Sequence, residues 1–226
     1  AVDVTALEDV SYSHLHNHTQ YSILQSTTTV NDLVASAAKN YMPAVALTDS
    51  GNMMAAFHFV TAISKHNKSI KGKISDLEDA EEFDEEKIAD LKKKFVKGIV
   101  GCELNICKDR LEKSVKDNGY QVPFLAKNLK GYHNLAKLSS AAFVEGFYYV
   151  PRIDRAIVEE LKGDIIILTG GVTGEVPGKI LNEGEEKGEE AFVWWKEQFG
   201  DDFYVELIRH GTEEENLVNE VLLRFA

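Results

Sequence analysis

Apolar residues in the first part of the chain follow one face of a helix. Between Val30 and Tyr41 they recur at the spacing of an amphipathic helix. Thr29 can cap the start of this helix, and Met42-Pro43 is expected to end it. Apolar spacing also predicts further helices, over residues 53–63, 131–143, 153–161, 183–199 and 217–225. The tryptophans and phenylalanines of residues 183–199 are interpreted as core packing.

Short and nearly continuous apolar runs predict buried strands between these helices. Together with a histidine-rich stretch that alternates between two faces, the predicted strands are residues 13–22, 44–47, 95–103, 122–126, 164–168 and 203–208. Strands that alternate with helices in this way favour an α/β fold with a parallel sheet or a barrel.

A charged stretch over residues 65–97 interrupts the alternation. It contains an acidic block from Asp76 to Glu86 and a basic run from Lys92 to Lys94. Such stretches are more often solvated helical hairpins or mobile excursions than binding sites. We therefore expect one domain over residues 1–226 that carries an insertion at residues 65–97.

The composition limits which functions the chain can have. Its 226 residues are 44% apolar and 27% charged, which is ordinary for a globular protein. The formal net charge of −12 argues against a domain that grips nucleic acid, because phosphate binding depends on clustered Lys and Arg. We expect contact with DNA only through other parts of a larger, full-length protein.

The two cysteines, Cys102 and Cys107, provide neither a disulfide framework nor a Cys-x-x-Cys metal knuckle. A reducing cytoplasm fits this usage. No apolar run approaches the length of a membrane span, so we expect no membrane contact. The chain starts at Ala1 without the basic and apolar regions of a signal peptide, and without an initiator Met, so we expect a processed or engineered terminus.

Three histidines at alternate positions are the first candidates for chemistry. If residues 13–22 are extended, His14, His16 and His18 point to the same face. A single histidine in a strand is usually a satisfied core or surface residue, but three at this spacing favour a metal or phosphate site.

Other polar residues follow the remaining predicted strands. In barrels and open parallel sheets, functional residues collect where the strands end. Histidines and carboxylates without a cysteine cluster suit a hydrolytic zinc, manganese or iron site. No Gly-x-Ser-x-Gly or Walker A pattern is present to suggest another chemistry. The candidates at strand ends are His16, His18, Asp49, Glu103, Gly171, where a glycine turn could hold an anion, and His210.

In these motifs the sequence resembles the PHP domain (polymerase and histidinol phosphatase) found at the N-terminus of bacterial DNA polymerase III alpha subunits. The resemblance covers essentially the whole chain except the charged insertion. The motifs that carry it are residues 16–22, 46–49 with Gly51-Asn52, 101–103, 125–127 with Gly131-Tyr132 and Asn134-Leu135, 145–148, 151–155, and 206–208 with His210-Gly211.

The resemblance implies a distorted (β/α)7 barrel whose top holds up to three metal ions. His16 and His18 would be ligands from the first motif, Asp49 from the second, and Glu103 a bridging carboxylate. The closing Asp-x-His motif would lie beyond Ala226, and six strands are predicted where the family has seven. We therefore expect a barrel that is incomplete at its C-terminus or open at one side.

Several positions depart from the ligand pattern of the metal-binding members. The departures are Gln25 for an Asp, Ser50 for a His, Gln121 for a His, and Gly171 for a Cys or His. Because each lost ligand or supporting group lowers metal affinity by about 10- to 100-fold, we expect one weakly held divalent ion, zinc or manganese, or none. We also expect no phosphoesterase turnover by this domain and assign it no catalytic residue.

Three functions remain open from the sequence. The first is an N-terminal accessory domain of a replicative polymerase, with the nucleotidyltransferase domains encoded downstream and a structural or partner-docking role here. The second is a stand-alone metal-dependent phosphoesterase, either an exonuclease or a small-molecule phosphatase. The third is a scaffold that binds a proofreading exonuclease subunit or another replication protein.

Overall fold

The computed structural model describes residues 10–79 and 84–226. The start of the chain and part of the acidic block fall on residues 1–9 and 80–83, outside the described residues. The chain divides into two compact units. The first unit comprises residues 1–47 and 54–99, and the second comprises residues 48–53 and 100–226.

The first unit begins its regular structure with the helix that the apolar spacing predicted. Helix α1 (Val30–Lys39) is capped by Thr29, whose Oγ1 accepts a hydrogen bond from the Asp32 N–H at 3.1 Å. Its buried face is made of Val30, Leu33, Val34, Ala37 and Ala38, as predicted. Strand β1 (Ala44–Leu47) follows with the predicted bounds.

The charged stretch forms two helices with a small apolar core of their own. Helix α2 (Ala56–Glu78) is longer than predicted, because isoleucines on its buried side continue through the charged sequence. Helix α3 (Glu85–Lys92) packs on it through Ile70, Ile74 and Ile88. These helices match the solvated hairpin considered from the sequence.

The second unit contains a mixed sheet. Strand β2 (Lys97–Cys107), whose first three residues belong to the first unit, pairs antiparallel with β3 (Tyr120–Ala126) and parallel with β4 (Arg152–Asp154). Strand β5 (Ile165–Leu168) pairs antiparallel with β3 and parallel with β6 (Phe203–Tyr204). The sheet in this unit is therefore open, with the order β4-β2-β3-β5-β6.

Three expectations about the strands need correction. The predicted parallel sheet is mixed, because β3 runs opposite to both of its neighbours. Residues 13–22 are not a strand, although the alternation of their side chains predicted one. Strand β4 includes Ile153 and Asp154, which were predicted to begin a helix. Among the described residues the sheet is open, as expected, whereas the seven-stranded barrel is not confirmed.

Five helices cover the sheet of the second unit. Their bounds are α4 (Leu129–Val144), α5 (Arg155–Leu161), α6 (Glu175–Glu183), α7 (Glu185–Phe199) and α8 (Glu213–Phe225). Sequence reasoning missed α6, because Pro177 and Gly178 are usually helix breakers; Pro177 is tolerated because it lies in the first turn. No helix among the described residues is both long and apolar enough to cross a membrane.

Trp195 confirms the interpretation of the α7 aromatics as core residues. Its side chain is 1% exposed and packs edge-on against Phe124 of β3. The indole Nε1 donates to the Glu175 carboxylate at 2.9 Å. The Arg155 guanidinium binds the same carboxylate at 2.7 Å, and the Lys179 ammonium lies 3.3 Å from it, so this buried acid is satisfied by three donors.

Glu215 stabilises the N-terminus of α8. Thr212 and Glu215 form a capping box, and the Glu215 carboxylate also accepts from the backbone N–H and the Nδ1 of His210, at 2.6 and 2.7 Å. Partial burial opposes ionisation of Glu215, but the hydrogen bonds from His210 and Thr212 hold its pKa below the ordinary value of 4.5.

This cap predicts a pH dependence of stability. A carboxyl whose pKa is lowered by folding stabilises the chain above its ordinary pKa of 4.5, and that contribution disappears as the pH falls through the lowered value. We expect the free energy of unfolding, measured by urea denaturation at neutral pH and in acid, to depend less on pH in Glu215→Gln than in the wild type. Glu220→Gln, on the exposed side of the same helix, should keep the wild-type dependence. An unchanged pH dependence in Glu215→Gln would contradict this account.

Candidate metal centre

Residues 13–22, which we call the histidine segment, are fixed in the first unit by polar side chains and not by strand pairing. The Asn17 amide donates to the carbonyls of His14 and Ala46, both at 3.0 Å, and the Ala46 N–H also donates to His14. Farther along, the Ser26 hydroxyl donates to the His18 carbonyl at 2.9 Å. This is why the segment is irregular: side-chain hydrogen bonds satisfy backbone groups that a strand would have used.

Two of the three predicted histidines lie together. The rings of His16 and His18 meet edge to face, with centroids 5.4 Å apart, and both residues are half-buried. The exposed His14 ring instead packs against Tyr12, with centroids 4.9 Å apart. Of the three imidazoles that were predicted to share one surface, only those of His16 and His18 lie together.

The other two candidate ligands, Asp49 and Glu103, lie in the second unit. The Glu103 N–H donates to the Asp49 carbonyl at 3.1 Å, and the Gly51 N–H donates to the Glu103 carbonyl at 2.7 Å. These bonds fix the turn after β1 alongside β2. Both candidate ligands are buried, with Asp49 1% and Glu103 4% exposed.

The position of Glu103 differs from the prediction. Strand β2 continues to Cys107, so Glu103 lies in the middle of the strand and not at its end. Its carboxylate faces the turn, because the Ser50 hydroxyl donates to Oε2 at 2.5 Å. Ser50, which stands where the resemblance implied a histidine, thus contacts a candidate ligand. Sequence reasoning treated Ser50 only as a loss and missed this contact.

Cys102 lies in the negatively charged surroundings of the two acids. Its thiol is fully buried and contacts the carbonyls of Asp49 and Asn52, at 3.5 and 3.4 Å. Burial raises the pKa of this thiol far above its ordinary value, and the charges of Glu103 and Asp49 raise it further. Two buried carboxylates so close to one thiol create a negative environment that favours a divalent cation.

The remaining strand-end candidates have other contacts. His210 is 79% exposed at its side chain and binds Glu215 at the start of α8. Gly171 lies in the turn that leads to α6, where a Cβ would approach Ile208 at 2.8 Å. Gln121 is in β3 opposite Asn105, and Gln25 is exposed. At Gly171, Gln121 and Gln25 the chain thus has no side chain of the ligand type that the resemblance implied there.

Arg152 is a second residue whose importance the sequence did not reveal. It is completely buried, and its guanidinium donates to the carbonyls of Gly146, Asp117 and Glu112 at 2.9 to 3.0 Å. The only signal was its place in the motif of residues 151–155. An arginine after a proline is not otherwise distinguishable from a surface residue.

Comparisons with known proteins agree with the motifs. The model of a family described as the PHP domain matches residues 14–210. The chain is 33% identical over 219 residues to the DNA polymerase III subunit alpha of Borreliella burgdorferi. The aligned region covers 95% of this chain and 17% of that polypeptide. The chain is also 34% identical over 224 residues to the DNA polymerase III subunit alpha of Thermus aquaticus, and that alignment covers 96% of this chain and 16% of the Thermus polypeptide. The chain thus spans about one sixth of the length of these curated relatives.

Proposed function

Because the chain belongs to the PHP domain family, we propose that it is the N-terminal PHP domain of a replicative DNA polymerase III alpha subunit. The observation that carries this proposal is the coverage. The DNA polymerase III alpha subunits of Borreliella burgdorferi and Thermus aquaticus align with 95% and 96% of this chain. In this proposal residues 1–226 form the domain, residues 65–97 are its insertion, and the polymerase domains follow downstream. A cytoplasmic location goes with that role.

The role proposed for the domain is structural support and partner docking. Its charge of −12 opposes an independent grip on DNA, so DNA would be reached only through the whole polypeptide. The first partner is the remainder of the alpha chain. A proofreading exonuclease subunit is the second, proposed from the family resemblance alone.

We further propose that His16, His18, Asp49 and Glu103 hold at most one divalent ion, zinc or manganese, and hold it weakly. The donor chemistry supports this: two imidazoles lie edge to face in the first unit, and two buried carboxylates lie beside one turn in the second. When bound, such an ion would neutralise the charge of the carboxylates. Ser50 would orient Glu103 by donating to its Oε2.

The role as a polymerase domain can be tested on the longer polypeptide encoded by the same gene. We expect that polypeptide to extend a DNA primer, because the relatives that match this chain are named DNA polymerase III subunit alpha. The 226-residue chain alone should not extend the primer and is the matched control. A gene that ends within one domain, or a long product without primer extension, would contradict the proposal.

The alternative is a metal-dependent phosphoesterase, which the same four donors favour. We expect the 226-residue chain, supplied with zinc or manganese, to hydrolyse nitrophenyl phosphate and single-stranded DNA no faster than its His16→Ala variant. The reason is that four protein ligands around one tetrahedral ion leave no position for an attacking water. Turnover that is present in the wild type and lost in His16→Ala, but retained in His14→Ala, would establish the enzyme instead.

A further inference from the structure

The segment of residues 143–149, at the end of α4, exposes an unusual number of large apolar side chains. The exposed fractions are 43% for Phe143, 81% for Val144, 49% for Phe147 and 64% for Tyr149. Phe143 and Phe147 stack with their centroids 6.3 Å apart. We call residues 143–149 the aromatic segment. Exposed clusters of this kind, rich in aromatic side chains, are typical of protein interfaces.

The backbone of the aromatic segment is strained at its most prominent aromatic ring. Tyr149 has a φ of +65°, which a residue with a side chain rarely adopts. The Tyr148 N–H donates to the Val150 carbonyl at 3.2 Å around this tight bend. Such a conformation persists only where surrounding contacts enforce it, and these conformations cluster at functional positions.

Arg152 supplies those contacts. Its buried guanidinium binds the Gly146 carbonyl at 2.9 Å and lies 5.5 Å from the centre of the Tyr148 ring. Gly146 is packed so closely that a Cβ there would fall 1.9 Å from the Arg152 carbonyl oxygen. The backbone of the aromatic segment is therefore held in place by contacts with the buried Arg152. Rigid aromatic anchors lose little conformational entropy on binding.

Charged groups of both signs border the aromatic segment. The Lys116 ammonium lies 5.1 Å from the centre of the Tyr149 ring. Glu145, within the segment, is paired with Arg110 at 2.9 Å. Beside the segment, an open groove along α4 is lined by residues that include Lys137, Val144 and Glu145. The surface is thus an apolar patch with paired charges at its border.

From these contacts we propose that the aromatic segment is the docking surface for the part of the polypeptide that follows residue 226. This inference rests on the proposed function, in which the domain belongs to a longer alpha chain. About five sixths of the length of the curated relatives lies outside the matched region. In the proposed alpha chain, a large and covalently linked segment would therefore be available to bind this surface. A second copy of a domain with charge −12 is a poorer occupant because of like-charge repulsion, and so is DNA.

The test measures whether position 149 is covered in the longer polypeptide. Tyr149→Cys is introduced into the 226-residue chain and into the longer polypeptide, and reaction with a soluble maleimide is followed by mass spectrometry of the peptide that contains it. The native thiols react slowly, because both are buried and burial raises the pKa of Cys107 to about 11 and that of Cys102 further. Val193→Cys, on the exposed part of α7, is the matched control.

We expect the thiol of Tyr149→Cys to react about tenfold more slowly in the longer polypeptide than in the 226-residue chain, and the control to react equally in both. Phe147→Cys should behave like Tyr149→Cys and serves if the latter fails to fold. Equal rates at position 149 would overturn the proposal. So would protection that appears only as the 226-residue chain is concentrated, or only when single-stranded DNA is added.

Primer extension by the same longer polypeptide separates the two claims. If it extends a primer while the thiol of Tyr149→Cys reacts freely, the docking surface is wrong and the proposed function stands. If it does not extend a primer while that thiol is protected, the proposed function is wrong and the docking surface stands.

Discussion

The second unit depends on the pairing of one turn with one strand. Two backbone hydrogen bonds tie residues 49–51 to Glu103, and the Ser50 hydroxyl binds the Glu103 carboxylate from the same turn. Glu103 is itself fixed by its strand, which is paired antiparallel with β3 on one side and parallel with β4 on the other. The backbone of the two buried acids is thus positioned by hydrogen bonds within the second unit.

The same strand connects this pairing to the surface around Arg152. Asn105, two residues after Glu103, donates to the Pro151 carbonyl at 2.9 Å and pairs with Arg152 in β4. Arg152 then fixes the loop before β4 by donating to the Gly146 carbonyl, and the connection between β2 and β3 by donating to the carbonyls of Asp117 and Glu112. A buried arginine is costly unless its donors are satisfied, and here backbone carbonyls satisfy them. Strand β2 therefore supports both the two buried acids, Asp49 and Glu103, and the aromatic segment.

The sequence predicted local features well and non-local ones poorly. Helix α1, its Thr29 cap and strand β1 depend on neighbouring residues and were correct. The direction of β3 depends on which strands meet in space, and no local pattern encodes that. The histidine segment alternates like a strand but is irregular, because Asn17 and Ser26 satisfy its backbone. The resemblance to the PHP family was confirmed, whereas the consequence of Ser50 for Glu103 required the structure.

The central claim is a PHP domain whose ligand set is reduced to two imidazoles and two carboxylates. Counting metal ions tests it most directly: the chain is purified without chelator, and zinc and manganese per chain are measured by elemental analysis and located by anomalous scattering. The account predicts one ion or fewer per chain, because four ligands satisfy one zinc ion. Two or more stoichiometric ions per chain would contradict it.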